Sequence, residues 1–281
     1  AVRHRGPDGE GCWSDSGSGI ALGHVRLSII DLTDAAAQPM TSADGRYTIV
    51  FNGEIYNYRA LRDELAAAGV AFRTTSDTEA LLELYARQGA ASVERLHGIF
   101  AFAIWDARER SLFLARDPLG VKPLYYAPLK QGFLFASELK ALTLCRDVPR
   151  DLDPVAVGDH LGFLWSAGEA TMLKSVRKLR PGCTLTIGSG GVRKQRYYRA
   201  PLSTNSGPES PDALAGLIDA VVAEQMVADV EVGALLSGGV DSSAIVAAMC
   251  RVADPASITT FCAVVEKSSG GADNFGDDAR F

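Results

Sequence analysis

Hydrophobic positions along the chain follow two regimes. Up to about residue 136 they come in short bursts with aromatic and β-branched residues, punctuated by Gly, Pro or Asp. Such bursts predict strands at Ile20 to Ser28, Tyr47 to Phe51, Phe100 to Trp105, Leu112 to Arg116, Leu124 to Tyr126 and Gly132 to Ala136. Residues 105–111 predict a hairpin connection. Two stretches repeat at helical spacing instead. Arg59 to Ala68 follows Asn57, a good cap, places Leu61 and Leu65 on one face and stops at Gly69. Thr78 to Gln88 follows Ser76-Asp77, carries Leu81, Leu82, Leu84 and Tyr85, and stops at Gly89. Many strands with a few helices predict an α+β layered domain with mainly antiparallel sheets.

Further along the spacing lengthens. Asp153 to Trp165 predicts a helix begun by an Asp-Pro cap, and residues 179–187 a turn and a strand. Pro201 to Pro211 is rich in Ser, Pro, Asn and Gly and reads as a linker. Ser210-Pro211 then opens a helix with Leu214, Leu217, Ile218, Val221 and Val222 on one face. Val232 to Leu236 predicts a buried strand, Ser243 to Cys250 a helix and Ser257 to Val265 a second strand. Strand, helix, strand at this spacing is a βαβ unit with a parallel sheet, hence α/β, with ligands beyond the carboxyl ends of the strands. The expected division is a first domain over 1–200, a linker over 201–211 and a second domain over 212–281.

Composition narrows the partners. The 281 residues are 47% hydrophobic, enough for a packed core, and the net charge of −6 gives no basic stripe for nucleic acid. No window reaches the ~18 apolar residues of a membrane span, and no signal-peptide pattern is present. The five cysteines (Cys12, Cys145, Cys183, Cys250, Cys262) are scattered without metal-ligand spacing, as in a reduced, cytoplasmic protein. The first residue is Ala1, and the last segment reads as a helix just beginning, so the sequence reads as a fragment.

Candidate chemistry concentrates first at 235–243, Leu-Leu-Ser-Gly-Gly-Val-Asp-Ser-Ser. Glycines admit a ligand close to the backbone, and the N–H groups of a helix start favour an anion. A Walker-type loop requires Lys directly before Ser or Thr, yet no Lys lies between Lys194 and Lys267. A loop without that Lys but with Asp241 suits the pyrophosphate end of a nucleotide, with a metal on the carboxylate. The alternative is a plain Ser-capped Gly-Gly turn.

In the first half, Phe51-Asn52-Gly53-Glu54-Ile55-Tyr56-Asn57 interrupts an apolar strand with amide, glycine and carboxylate. Asn-Gly suits a hairpin turn. It also suits an oxyanion site, with the Asn52 side chain and the Gly53 N–H both donating, and Glu54 beside it could hold an ammonium. Arg26 is an exposed strand residue or a grip for a carboxylate. Asp77 is a helix cap or a second ligand for the ammonium.

These residues together resemble the class II glutamine amidotransferase domain. The match runs from Arg3 to about Lys140 through Arg-His-Arg-Gly-Pro-Asp (3–8), Arg26-Leu27-Ser28, residues 52–57, Ser76-Asp77, residues 98–103 and the Arg-Asp-Pro-Leu-Gly-Val-Lys-Pro-Leu-Tyr-Tyr segment (116–126). Ser-Gly-Gly-Val-Asp-Ser (237–242) is similar to the ATP-pyrophosphatase signature. In this order the two resemble glutamine-hydrolysing asparagine synthetase. The resemblance implies an αββα sandwich of the N-terminal-nucleophile type followed by the start of a parallel-sheet ATP-pyrophosphatase domain. It implies a glutamine site of Arg26, Leu27, Ser28, Ile29, Ile30, Asn52, Gly53, Glu54 and Asp77, with Asn52 and Gly53 as the oxyanion hole. The nucleophile is then an N-terminal Cys upstream of Ala1, which Cys12 does not replace, so this stretch by itself is expected to be inactive and to bind glutamine weakly at best. An ATP site of Leu236, Ser237, Gly238, Gly239, Asp241, Ser242, Ser243 and Ala263 is implied, with Mg²⁺ on Asp241. The implied reaction makes asparagine from aspartate through β-aspartyl-AMP, using ammonia from the first domain. Amidation of another acid, or a β-lactam-forming or peptide-cyclising role, stays open, as does a homodimer; no nucleic acid or membrane partner is implied.

Overall fold

The computed structural model describes residues 1–166, 168–201, 207 and 210–262. The chain divides after Pro201 into two compact units. The first contains strands β1 (Gly9–Asp15), β2 (Ile20–Arg26), β3 (Met40–Thr41) and β4 (Tyr47–Ile55), then helices α1 (Tyr58–Ala67) and α2 (Asp77–Gln88). Strands β5 (Gly98–Asp106), β6 (Ser111–Arg116), β7 (Tyr125–Leu129) and β8 (Gly132–Ala136) follow, then α3 (Leu139–Leu142) and α4 (Pro154–Phe163). Strands β9 (Arg177–Lys178), β10 (Cys183–Gly188) and β11 (Gly191–Arg196) complete it.

The organising layer is an antiparallel six-stranded sheet in the order β11-β10-β6-β5-β4-β3. Side chains alternate across its faces because the strand repeat is two. On β5, Phe100, Phe102 and Ile104 are buried beside α2, where Tyr85, Tyr47 and Phe113 join an aromatic cluster. Ala101, Ala103 and Trp105 face the other way, into a core shared with Leu22 of β2, Tyr126 of β7 and Leu185 of β10. The β1-β2 hairpin and the β8-β7-β9 sheet therefore form the second layer. Behind β7 and β8, Leu142 of α3 packs with Ala127, Val148, Leu173 and Val176. These are the helix–sheet–sheet–helix layers expected from the sequence.

Two expectations change in detail. The strand expected over 47–51 continues through Asn52-Gly53-Glu54 to Ile55, fully paired with β5, so Asn-Gly is no turn here. Asn57 precedes α1 but makes no side-chain cap. Its amide instead donates to Arg95 O (2.9 Å) and accepts from His97 N (3.0 Å), pinning the entry to β5. Ser76, by contrast, caps α2 by accepting from Glu79 N.

The second unit holds α5 (Pro211–Gln225), β12 (Gly233–Leu235), α6 (Val240–Val252) and β13 (Thr259–Phe261). Ser210 caps α5 through Ala213 N, and Pro211 occupies its first turn. β12 and β13 are parallel and joined through α6, a βαβ unit. The expected buried strand is shorter and open: Leu235 is 81% exposed, and within this unit only Ala248 and Met249 are buried among the described residues. The helix expected from Ser243 starts three residues earlier, at Val240, with Gly239 as cap. Most of the expected linker lies outside the described residues.

Candidate functional site

Between the two sheet layers of the first unit lies a cavity of about 1090 Å³. Its wall includes Arg26, Leu27, Ile29, Ile30, Asn52, Gly53, Glu54 and Asp77. Ser28 is not part of this wall; its backbone N–H donates to Asp8 Oδ2 (2.8 Å), holding the turn after β2 against the chain start. The small side chains of Ala101 and Ala103, opposite the bulkier residues of β2 and β8, leave the space open.

Asn52 and Gly53 sit side by side in β4. A Cβ on Gly53 would stand 2.1 Å from Ile99 O of β5, so only glycine allows this approach of the two strands. Asn52 Nδ2 donates to Ser137 Oγ (3.3 Å), which leaves the second amide hydrogen for a ligand. Ser137 adjoins Glu138, whose carboxylate meets Lys140 (3.0 Å), His4 (2.8 Å) and Arg5 (3.3 Å). The hydrogen bond from Lys140, joined by His4 and Arg5, holds Glu138 down at a pKa of about 2. The segment after β8 is thereby fastened to the chain start.

Glu54 and Asp77 supply the negative charge. Burial raises the pKa of Glu54, partly opposed by the Lys122 ammonium. Asp77, in the first turn of α2, is buried and accepts from Ile55 N (3.0 Å). Burial pushes its pKa up to about 7, the Ile55 and Thr78 N–H groups oppose the rise, and the Glu54 charge adds to it. Two acidic groups facing one cavity, Asp77 among them with its pKa near neutrality, make a receptor for a cation.

Arg26 ends β2. Its Nη1 donates to Thr33 O (2.8 Å), and its Nη2 to the carbonyls of Ile30 (3.4 Å) and Asp31. A guanidinium has five N–H groups, so donors remain for an anion. The turn over 30–33 is the fixture that aims it.

Several residues of this wall carry no sequence expectation. His24 Nε2 donates to Phe51 O (2.9 Å), tying β2 to the strand of Asn52; burial lowers its pKa and favours the neutral ring. Gln38 Oε1 accepts from Phe51 N (2.6 Å), while its Nε2 reaches Thr78 Oγ1 (3.3 Å). Lys122 is placed by its neighbours. Buried Asp117 accepts from the backbone N–H groups of Phe100, Leu119, Val121 and Lys122, at 2.9 to 3.2 Å. Arg116 in turn donates to the carbonyls of Gly120 and Lys122 (both 2.6 Å) and Leu179 (2.7 Å). An Arg-Asp pair followed by Pro-Leu-Gly is the sequence trace of this cage.

The second unit carries the other candidate. Gly238 adopts φ +75°, a conformation glycine takes without strain, and turns the chain from β12 into α6. Ser237 Oγ and Ser242 Oγ are 3.1 Å apart, and Ser242 Oγ donates to Gly239 O (3.1 Å). Leu236 N is taken by Phe261 O (2.8 Å), Ser243 N by Gly239 O (3.0 Å). Ser237, Gly239 and Asp241 are exposed at the start of the thirteen-residue α6, whose first-turn N–H groups have no partner within the helix. Asp241 is the acidic residue of that turn, and no cluster of three or more metal-ligating side chains occurs among the described residues. One carboxylate suits Mg²⁺ when phosphate oxygens complete the shell. Ala263 lies outside the described residues.

A family model for the glutamine amidotransferase domain matches residues 1–198, and one for asparagine synthase matches 213–280. The chain is 40% identical over 249 residues to asparagine synthetase [glutamine-hydrolyzing] 1 of Bacillus subtilis, covering 87% of this chain and 39% of that one. It is 33% identical over 252 residues to amidase chry2 of Gibberella zeae, covering 87% and 37%. A solved glutamine phosphoribosylpyrophosphate amidotransferase from B. subtilis aligns over 86% of this chain and 51% of that one, with 21% identity and a TM-score of 0.46. The chain spans about 40% of the length of two B. subtilis asparagine synthetases that it matches. The model match over residues 1–198 shows that the chain belongs to the glutamine amidotransferase domain family, with glutamine-hydrolysing asparagine synthetases among its relatives.

Proposed function

We propose that the cavity of the first unit binds glutamine for hydrolysis, and that the loop of the second unit binds ATP for activation of an acid. The observation that carries this reading is the convergence of Arg26, Asn52, Gly53, Glu54 and Asp77 on one cavity. Arg26 takes the α-carboxylate, whose two oxygens match a guanidinium. Glu54 and Asp77 take the α-ammonium. The Asn52 amide and the Gly53 N–H donate to the side-chain carbonyl oxygen, where negative charge gathers when the amide carbon is attacked. Breaking the C–N bond of the adduct expels ammonia, and water then cleaves the acyl adduct to give glutamate and restore the attacking group.

In the second unit the Ser237–Ser243 turn holds the phosphates against the N-terminus of α6. Asp241 would hold Mg²⁺, which neutralises phosphate charge when bound. ATP and aspartate then give β-aspartyl-AMP and pyrophosphate, and ammonia displaces AMP to give asparagine. Transfer of the same nitrogen to another acid is the second reading, kept because one relative at 33% identity, amidase chry2, does not carry the asparagine synthetase name.

Calorimetric titration of residues 1–281 with L-glutamine tests the first half. Weak but saturable 1:1 binding at high glutamine is expected, weakened about tenfold or more in Asp77→Asn, where an acceptor of the ammonium is lost. Absence of binding contradicts the reading. Acid-dependent exchange of labelled pyrophosphate into ATP by the whole protein tests the second half, with aspartate as the expected acid. Exchange that survives Asp241→Asn unchanged would remove the metal assignment.

A further inference from the structure

Asp31 stands behind the cavity wall, between Arg26 and the segment that leads into α2. It is 6% exposed and adopts φ +54°, a left-handed conformation uncommon for residues other than glycine. Its carboxylate Oδ1 accepts from the Thr33 N–H (3.1 Å) and hydroxyl (2.6 Å). These bonds are a local Asx turn, a sufficient reason for Asp in such a bend. The other oxygen has no such local reason. Oδ2 accepts from the N–H (2.7 Å) and hydroxyl (3.1 Å) of Thr75, 44 residues away and two positions before Asp77. Meanwhile the Asp31 carbonyl accepts from the Arg26 guanidinium.

One residue thus grips both ends of the site. Its main chain aims Arg26, and its side chain fixes the approach to α2, whose first residue is Asp77. We propose that Asp31 is a positioning residue that sets the spacing between Arg26 and Asp77, and so matches the cavity to a ligand bearing a carboxylate and an ammonium on the same carbon. This rests on the glutamine reading above and adds how the α-amino-acid head is measured. Burial acts to raise the Asp31 pKa, but the Thr33 and Thr75 bonds outweigh it and hold it below the usual value, so the group stays ionised and accepting at neutral pH. The Thr33 and Thr75 donors are all on this chain, so the clamp is set before any ligand arrives.

Asp31→Asn keeps the volume but offers an NH₂ to a hydroxyl and N–H pair, which breaks one arm. The test is titration of the unmodified chain and of Asp31→Asn with L-glutamine and with glutaramate, which keeps the carboxylate and the amide but has no α-ammonium. Loss of spacing should weaken L-glutamine about tenfold and glutaramate less than about threefold, since the latter needs only one end. Thr75→Val, which removes only the hydroxyl of an exposed side chain, should move both ligands in the same sense by less. Equal loss for the two ligands, or none, overturns the proposal, because a purely structural residue does not distinguish them. If Asp31→Asn does not fold, Thr75→Val decides by the same ratio. Failure of the unmodified chain to bind L-glutamine is a separate result: it overturns the glutamine reading and this inference with it.

Discussion

Asp77 is the residue on which pH should act most visibly. Its carboxyl titrates at about 7 in the folded chain, raised first by burial and then by the charge of Glu54. An unfolded Asp titrates near ~3.9. The native state therefore keeps a proton that the unfolded chain has released between these values. The associated stability is fully present below pH ~4 and is lost as pH rises through about 7. A ligand ammonium favours the ionised form, so glutamine affinity should fall about tenfold for each pH unit below about 7. Calorimetry in two buffers of different ionisation enthalpy should show proton release on binding near pH 6.5, absent in Asp77→Asn. Affinity that is flat between pH 5.5 and 7.5 would contradict this. Gly53 makes a second demand. Gly53→Ala places a methyl against Ile99 O and should lower stability by roughly 1–3 kcal/mol, read as a lower urea midpoint. Much of this was legible as residue types: an amide, a glycine and a carboxylate in succession have little structural use in an apolar strand. The supporting ring was not. His24, Gln38, Ser137 and Lys122 act through contacts 13 to 85 residues away in sequence or through a backbone cage, and no spacing announces such partners.

Elements place these residues through a few buried acceptors. Glu79 is 1% exposed and accepts from the N–H groups of Arg73 and Thr74 and the Thr74 hydroxyl, fastening the loop that leads into α2. Ser76 caps the same helix while sharing a 2.9 Å bond with Thr74 Oγ1. Ser76→Ala should cost about 1 kcal/mol, measurable by urea unfolding, and should weaken glutamine because α2 carries Asp77. Unchanged stability would show that the Thr74–Glu79 contacts suffice. Period and turn chemistry were good guides to these elements. The α2 start, the α5 Ser-Pro start and the hairpin after Trp105 were all legible, because caps and turns are local. Asn57 misled because a favourable cap residue found stronger partners across space in Arg95 and His97. Strand β1 (Gly-Glu-Gly-Cys-Trp-Ser-Asp) and the wholly exposed β11 lack an apolar burst, and pairing with β2 and β10 makes them strands.

At the scale of the molecule, the cavity, the two core clusters and all the groups that tune Asp77 lie before residue 201. Residues 1–201 made alone should therefore unfold cooperatively and bind glutamine within about twofold of the longer chain. A molten product, or loss of binding, would place part of the site's support in the second unit. The order of the two family signatures was plain in the sequence. The expected burial of residues 232–236 was not realised, since a run of apolar residues reports what a strand can bury and not what covers it. Whether the cavity of the first unit is a glutamine site is decided by a crystal structure of the chain grown with L-glutamine. In that structure the α-carboxylate should lie on Arg26, the α-ammonium between Glu54 and Asp77, and the amide oxygen facing Asn52 Nδ2 and the Gly53 N–H. Glutamine bound elsewhere, or bound with its amide turned away from Asn52 and Gly53, would contradict the assignment.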